Sequence, residues 1–131
     1  MITFVDTNIL LDVFLPDPKW GNPSREMLEQ AYDEGSLIIN PIVYAELAPQ
    51  FLEKKLLDTT LETLGIRLVP IDFDTAFLAG MNWKKYRDAG GKRSRILSDF
   101  LIGSHAKKHA DRLLTRDRGF YREYFNDLIL F

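Results

Sequence analysis

Short, almost continuously apolar runs alternate with longer helical patterns along this chain. That alternation predicts an α/β fold: a three-layer sandwich whose central, mainly parallel sheet of four to five strands is flanked by helices. Two further observations support it. The runs ITFV, LIIN, IRLVPI and RLLT lack the polar alternation of a half-solvated strand, so they read as strands covered on both faces. Each is separated from the next by enough chain for a crossover helix, and right-handed crossovers wind such a sheet into a doubly covered one. The 131 residues suffice for one domain, residues 1–131, with no repeat, linker or low-complexity tract. In such folds ligands bind beyond the carboxyl ends of the strands.

The elements follow in order. Residues 2–5 are the first strand and residues 8–15 a helix. Asn22 then Pro23 reads as an N-cap and first helical position, opening a helix that Gly35 stops. Residues 37–40 are the second strand. Asn40 and Pro41 repeat the cap-and-proline device, opening a helix that runs through Glu53 with a break expected at Pro49. Residues 55–64 are a short helix, 66–71 the third strand and 72–87 a long helix begun by Asp72 as cap and Asp74 in its first turn. A loop at residues 88–94 leads to a helix at 96–110, a fourth strand at 112–115, a short helix at 119–125 and a last strand at 127–131.

Composition excludes several classes of function. The absence of cysteine rules out disulfides, zinc fingers and thiol catalysis. No apolar run reaches the roughly 18 residues of a membrane span, and Asp6 and Asp12 interrupt the N-terminal apolar stretch where a signal peptide is uncharged. A soluble, cytoplasmic domain is therefore expected. The net charge of −2 hides an asymmetry: between Lys84 and Arg118 eleven basic residues face four acidic ones, a local balance of +7 that leaves −9 on the rest. A basic third on an acidic body suits a phosphate-facing surface, although a solvated set of helix faces explains it equally.

Four acidic residues stand out by position. Asp6 follows the first strand directly and Asp117 lies two residues past the fourth, so both fall at the carboxyl edge of the sheet. Asp6 alone is equally well read as a helix cap. Glu46 in IVYAEL and Asp99 in ILSDFLIG are single acids within apolar strings, where a carboxylate is rarely buried without a partner. Four carboxylates at one edge repel one another unless a cation holds them, and oxygen donors of this kind select Mg2+ or Mn2+. Such an ion activates water and stabilises the leaving oxygen in phosphodiester cleavage.

The ordered strings FVDTNILLD, YAEL, LSDFLIGSHA and LLTRDRGFY resemble the PIN-domain ribonucleases, and among them the VapC-type toxins of toxin–antitoxin pairs. The resemblance covers essentially the whole chain and implies a PIN-like sandwich. It also implies a metal-dependent endoribonuclease whose catalytic and metal-holding residues are Asp6, Glu46, Asp99 and Asp117, supported by Asn8 and Thr115. RNA as substrate, a small antitoxin as partner and a homodimer are further implications. The chain departs from the family at Ser104 and His105, larger than the small residues usual after the position of Gly103.

Other candidates carry less. Lys92, Arg93 and Arg95 in the glycine-rich loop before Asp99, with Arg116 beside Asp117, are expected to hold an RNA backbone by charge. His105 and His109 have a metal-binding spacing but no third ligand. Asp12 reads as solvent-exposed. Trp20, in a Pro- and Gly-rich loop, suits a partner anchor or a base-stacking residue. Three alternatives stay open: a PIN nuclease of RNA processing, a non-catalytic RNA-binding PIN module, and a phosphoaspartyl domain. The last is disfavoured because Asn8 stands where a phosphatase needs a second Asp.

Overall fold

The computed structural model describes residues 1–92 and 95–131. Four parallel strands, β1 (Ile2–Val5), β2 (Ser36–Ile39), β3 (Ile66–Leu68) and β4 (Arg112–Leu114), form one sheet in the order β3-β2-β1-β4. Around it lie α1 (Thr7–Phe14), α2 (Gly21–Glu34), α3 (Pro41–Leu47), α4 (Lys54–Thr63), α5 (Phe73–Asp88), α6 (Leu97–His109) and α7 (Arg118–Tyr124). The expected α/β sandwich is thus the fold. Consecutive residues Thr3, Phe4 and Val5 are all buried, so β1 is covered on both faces. None of the helices among the described residues is long and apolar enough to cross a membrane.

The strand order places the site. The chain leaves β1 outward through β2 and β3, then returns to the other side of β1 as β4. The winding therefore reverses between β1 and β4, and the carboxyl ends of strands at such a reversal are where open α/β sheets take their ligands. Thr3 pairs with Arg112 and Val5 with Leu114, and the Asp6 amide extends the ladder by donating to the Leu114 carbonyl at 2.9 Å. Asp6 and Asp117 are thereby delivered to one rim.

Local chemistry fixes the connections. Asn40 caps α3 by accepting from the amides of Ile42 and Val43 at 3.0 and 3.1 Å, with Pro41 at the first helical position. Asp72 caps α5 through the Thr75 amide at 2.6 Å. Gly65 ends α4 with φ +71°, a left-handed conformation that other residues adopt at a cost. Gly103 of α6 lies against Phe125, where a Cβ would come within 2.6 Å of the ring.

Several expected boundaries move. The helix after the first loop starts at Gly21, not at Pro23. Asp17 accepts from the Lys19 and Trp20 amides at 2.9 and 2.8 Å and starts the turn early, and Pro23 still falls in the first turn, where no N–H is needed. The helix expected through Glu53 stops at Leu47. Pro49 limits the continuation to one 3-10 turn, Ala48–Gln50, and Glu53 instead precedes α4. The third strand ends at Leu68, short of Pro70. The last strand expected at 127–131 is not formed. A turn at 126–128 leaves three residues, which make a single parallel bridge, Leu130 to Leu113.

Candidate functional site

Asp6 is 6% exposed and completely tied in. One carboxylate oxygen accepts from the Thr7 amide at 2.7 Å. The other accepts from the Thr115 hydroxyl at 2.7 Å and the Asn8 amide group at 3.2 Å. It is therefore both the N-cap of α1 and a buried acid, so the two readings of the sequence are not exclusive. Asn8 and Thr115 surround it as expected. The Thr115 hydroxyl also receives the Asp117 amide at 3.0 Å, and the Asn8 carbonyl receives the Arg116 amide at 3.2 Å.

Glu46 projects from α3, and the hydroxyl of Thr7 donates to it at 2.8 Å. Asp99, in the first turn of α6, accepts from the Ile96 amide at 3.1 Å. Asp117 precedes α7 and is paired through both oxygens with Arg95, one contact being 3.0 Å. Four separate elements thus bring Asp6, Glu46, Asp99 and Asp117 within each other's fields. Burial raises Asp6 from 3.8 to about 6, and the charges of Glu46 and Asp117 push the same way against its hydrogen bonds. Burial likewise raises Glu46, with Asp99 adding repulsion. Asp99 is raised by burial and by Asp117, while Arg95 opposes.

Oxygen acids such as Asp6, Glu46 and Asp99, raised by burial and by neighbouring charge, suit a hard divalent cation in kind. Their present placement is one step short of it. Among the described residues no three acidic or histidine side chains stand together as a metal-holding group, and the guanidinium of Arg95 already neutralises Asp117. Asp6, Glu46 and Asp99 are the donors not committed to a basic side chain. Asp117 would join them on giving up Arg95.

The basic residues sort differently from expectation. Arg95 lies with its guanidinium 4.2 Å from the centre of the Phe120 ring while it holds Asp117. Arg116 is tied bidentately to Asp12 at 2.6 and 2.8 Å. Arg93 lies outside the described residues. Lys92 fixes the loop through its carbonyl, which accepts from the Tyr86 hydroxyl at 2.7 Å. His105 is fully buried, with Nδ1 3.1 Å from the Asn40 side-chain amide, and His109 pairs with Asp72 at 2.5 Å, so the two histidines form no metal pair.

Asp12 is a correction: it is 4% exposed, and besides Arg116 it accepts from the Ser24 hydroxyl at 2.6 Å. Trp20 lies between the cations of Arg116 and Lys19, 5.0 and 4.9 Å from its ring. Two residues escape a reading of the sequence. Thr7 positions Glu46, and Tyr121 sits buried in the field of Asp6, Asp99 and Asp117, which together with burial keeps its hydroxyl neutral. Thr7 is visible only as the middle of DTN, and Tyr121 only as one aromatic among several on α7.

The PIN domain family model matches residues 3–126. No curated protein matches the chain. Among solved structures, VapBC2 from Rickettsia felis, bound to a DNA fragment from its promoter, is 23% identical with a TM-score of 0.72, covering 100% of this chain and 98% of that one. VapBC-1 from nontypeable Haemophilus influenzae is 19% identical with a TM-score of 0.74, over 100% and 97%. VapC20 from Mycobacterium tuberculosis, described as a sarcin–ricin loop cleaving toxin, is 14% identical with a TM-score of 0.61, over 90% and 93%.

Proposed function

Because this chain belongs to the PIN domain family, we propose that it is an endoribonuclease dependent on Mg2+ or Mn2+ and the toxin of a VapBC-type toxin–antitoxin pair. One observation carries the reading: separate elements deliver Asp6, Glu46 and Asp99, which burial raises together with the charges of neighbouring acids, Asp117 among them. Likeness to VapBC structures and to a sarcin–ricin loop cleaving toxin supports the toxin assignment and an RNA substrate.

Asp6, Glu46, Asp99 and Asp117 would hold the ion, whose chemistry when bound is to acidify water and compensate charge at the leaving oxygen. The protein's own work is positioning. Thr115 and Asn8 fix the Asp6 carboxylate, and the Thr7 hydroxyl aims Glu46. Arg95 shields Asp117 until phosphate or cation replaces it. Lys92, together with Arg95 and Arg116 on release from Asp117 and Asp12, is the proposed source of positive charge toward an RNA backbone.

The antitoxin is proposed as the partner that covers the four acids, in the cytoplasm. A homodimer is supported by an exposed apolar stripe on α5, where Phe73, Phe77 and Met81 recur every four residues.

The test is cleavage of total RNA by purified protein with Mg2+, Mn2+ or EDTA, beside Asp6→Asn. Discrete fragments that require metal and vanish in the variant are expected. Intact RNA under every condition, with antitoxin absent, replaces the nuclease by a binding module. Cleavage that survives both EDTA and Asp6→Asn removes the acidic quartet from the mechanism.

A further inference from the structure

Arg95, the partner of Asp117, is also one wall of a cavity of about 520 Å3 lined by Tyr86, Gly90, Lys92, Phe120, Glu123 and Tyr124, with Ala89 and Gly91 completing it. Neither it nor a second cavity of equal volume, between α2 and α4, is lined by any of the four acids, but the first includes this partner of Asp117. The first has the size of a small-ligand site.

Its wall is built before any ligand arrives. The Gly91 amide donates to the Tyr86 carbonyl at 2.8 Å, and the Tyr86 hydroxyl donates to the Lys92 carbonyl at 2.7 Å. The start of the loop is thereby laced onto the end of α5. Gly91 permits this, because a Cβ there would come within 2.5 Å of both the Tyr86 ring and its carbonyl oxygen. Phe120 and Tyr86 each pack edge-on or tilted against Tyr124, at 5.3 and 5.0 Å between centroids. Tyr124 is held by these rings yet remains 40% exposed.

The chemistry of the lining is mixed in a specific way. It combines an aromatic surface for stacking, one carboxylate (Glu123) and two cations (Lys92 and Arg95). A carboxylate accepts best from two adjacent N–H groups, and guanine alone among the four RNA bases presents such a pair, at N1 and N2. The O6 and N7 acceptors of guanine are suited to a Lys or Arg donor. Adenine and cytosine place a ring nitrogen lone pair against the carboxylate, and uracil flanks its single N–H with two carbonyls. Arg95 forms the partition, lining the cavity while it holds Asp117. The phosphate attached to a base seated in the cavity would therefore meet Arg95, the residue that ties the cavity to Asp117.

We propose that this cavity is a guanine-binding subsite, stacking the base on Tyr124 and reading its edge with Glu123, and that it selects the nucleotide flanking the scissile phosphate. The choice of a nucleotide as ligand rests on the nuclease reading above.

The experiment is an amide NMR titration of the intact chain in EDTA with the 5′-monophosphates of guanosine, adenosine, cytidine and uridine, and with inorganic phosphate. Guanosine monophosphate is expected to shift the Gly90, Gly91, Glu123 and Tyr124 amides and to bind at least about fivefold tighter than the other three. Tyr124→Ala should weaken it by about tenfold or more, while Tyr124→Phe, which keeps the ring, retains it. Glu123→Gln, an exposed change that the fold tolerates, should abolish the preference for guanine. Equal shifts from phosphate alone, equal binding of all four nucleotides, or no shift at these amides overturns the subsite. Neither metal nor cleavage enters this titration. Lost guanine binding in a chain that cleaves RNA therefore removes the subsite only, and guanine binding by a chain that cleaves nothing removes the nuclease reading only.

Discussion

Asp6 shows how much one buried acid costs. Its rise from 3.8 to about 6 penalises the folded, ionised state by about 3 kcal/mol. The folded chain binds the proton more tightly, so this penalty is absent below about pH 3.8 and complete above about pH 6. His105 acts in the opposite sense: burial lowers it to about 4, so stability is lost as pH falls from 6.5 toward that value. The two nearly offset in the intact protein, and subtraction separates them. Urea melts of the protein and of Asp6→Asn, in EDTA, should show the variant gaining up to about 3 kcal/mol relative to the parent as pH rises from about 4 to about 6.5. A difference that does not vary with pH contradicts the assigned cause. Arg95 supplies a second test. With its guanidinium removed, Asp117 keeps no counter-charge, so Arg95→Met should bind Mn2+ about tenfold more tightly by calorimetry. Unchanged or weaker binding means that Asp117 does not take part in holding the ion. The sequence alone located these acids unevenly. Glu46 and Asp99 stand out as single acids in apolar strings, and so by the same signal does Asp12 in LLDVFL. Its partner Arg116 is 104 residues away, a distance over which local periodicity carries no information.

At the scale of the element, helix α3 is the clearest case of sequence specifying position. Asn40 and Pro41 start it, and that start sets where Glu46 falls on the following turn. The same Asn40 side chain donates to buried His105, so one residue couples the α3 cap to α6. Asn40→Ala should cost about 1–3 kcal/mol, read as a lower urea midpoint at unchanged slope, because two amides lose their acceptor and a buried ring nitrogen loses its donor. A cost below about 0.5 kcal/mol means that water replaces both contacts. Caps and prolines of this kind are written in adjacent residues, so most helix starts are legible. Where the cap-and-proline reading of Asn22 and Pro23 failed, the deciding contact was the Asp17 turn just upstream, which starts the helix at Gly21. The missing fifth strand has a different cause. An apolar string satisfies the pattern for a strand, yet the turn at 126–128 consumes the length it needs.

For the molecule as a whole, the fold class followed from the alternation of elements, and strand order did not, since no local pattern says which strand lies beside which. The exposed α5 stripe is a prediction at this scale. Phe77 is 72% exposed, so Phe77→Glu should leave the monomer folded and shift a dimeric elution profile to a monomeric one in size-exclusion chromatography with light scattering. A dimer that survives the substitution assigns another face. The pairing of β1 with β4 has a consequence in time. Thr3 and Arg112 are neighbours across 109 residues of chain, so Asp6 is synthesised well before the Thr115 and Asp117 that complete its surroundings. A nascent chain that has not yet reached Thr115 and Asp117 therefore holds at most three of the four acids and lacks the hydroxyl that fixes Asp6.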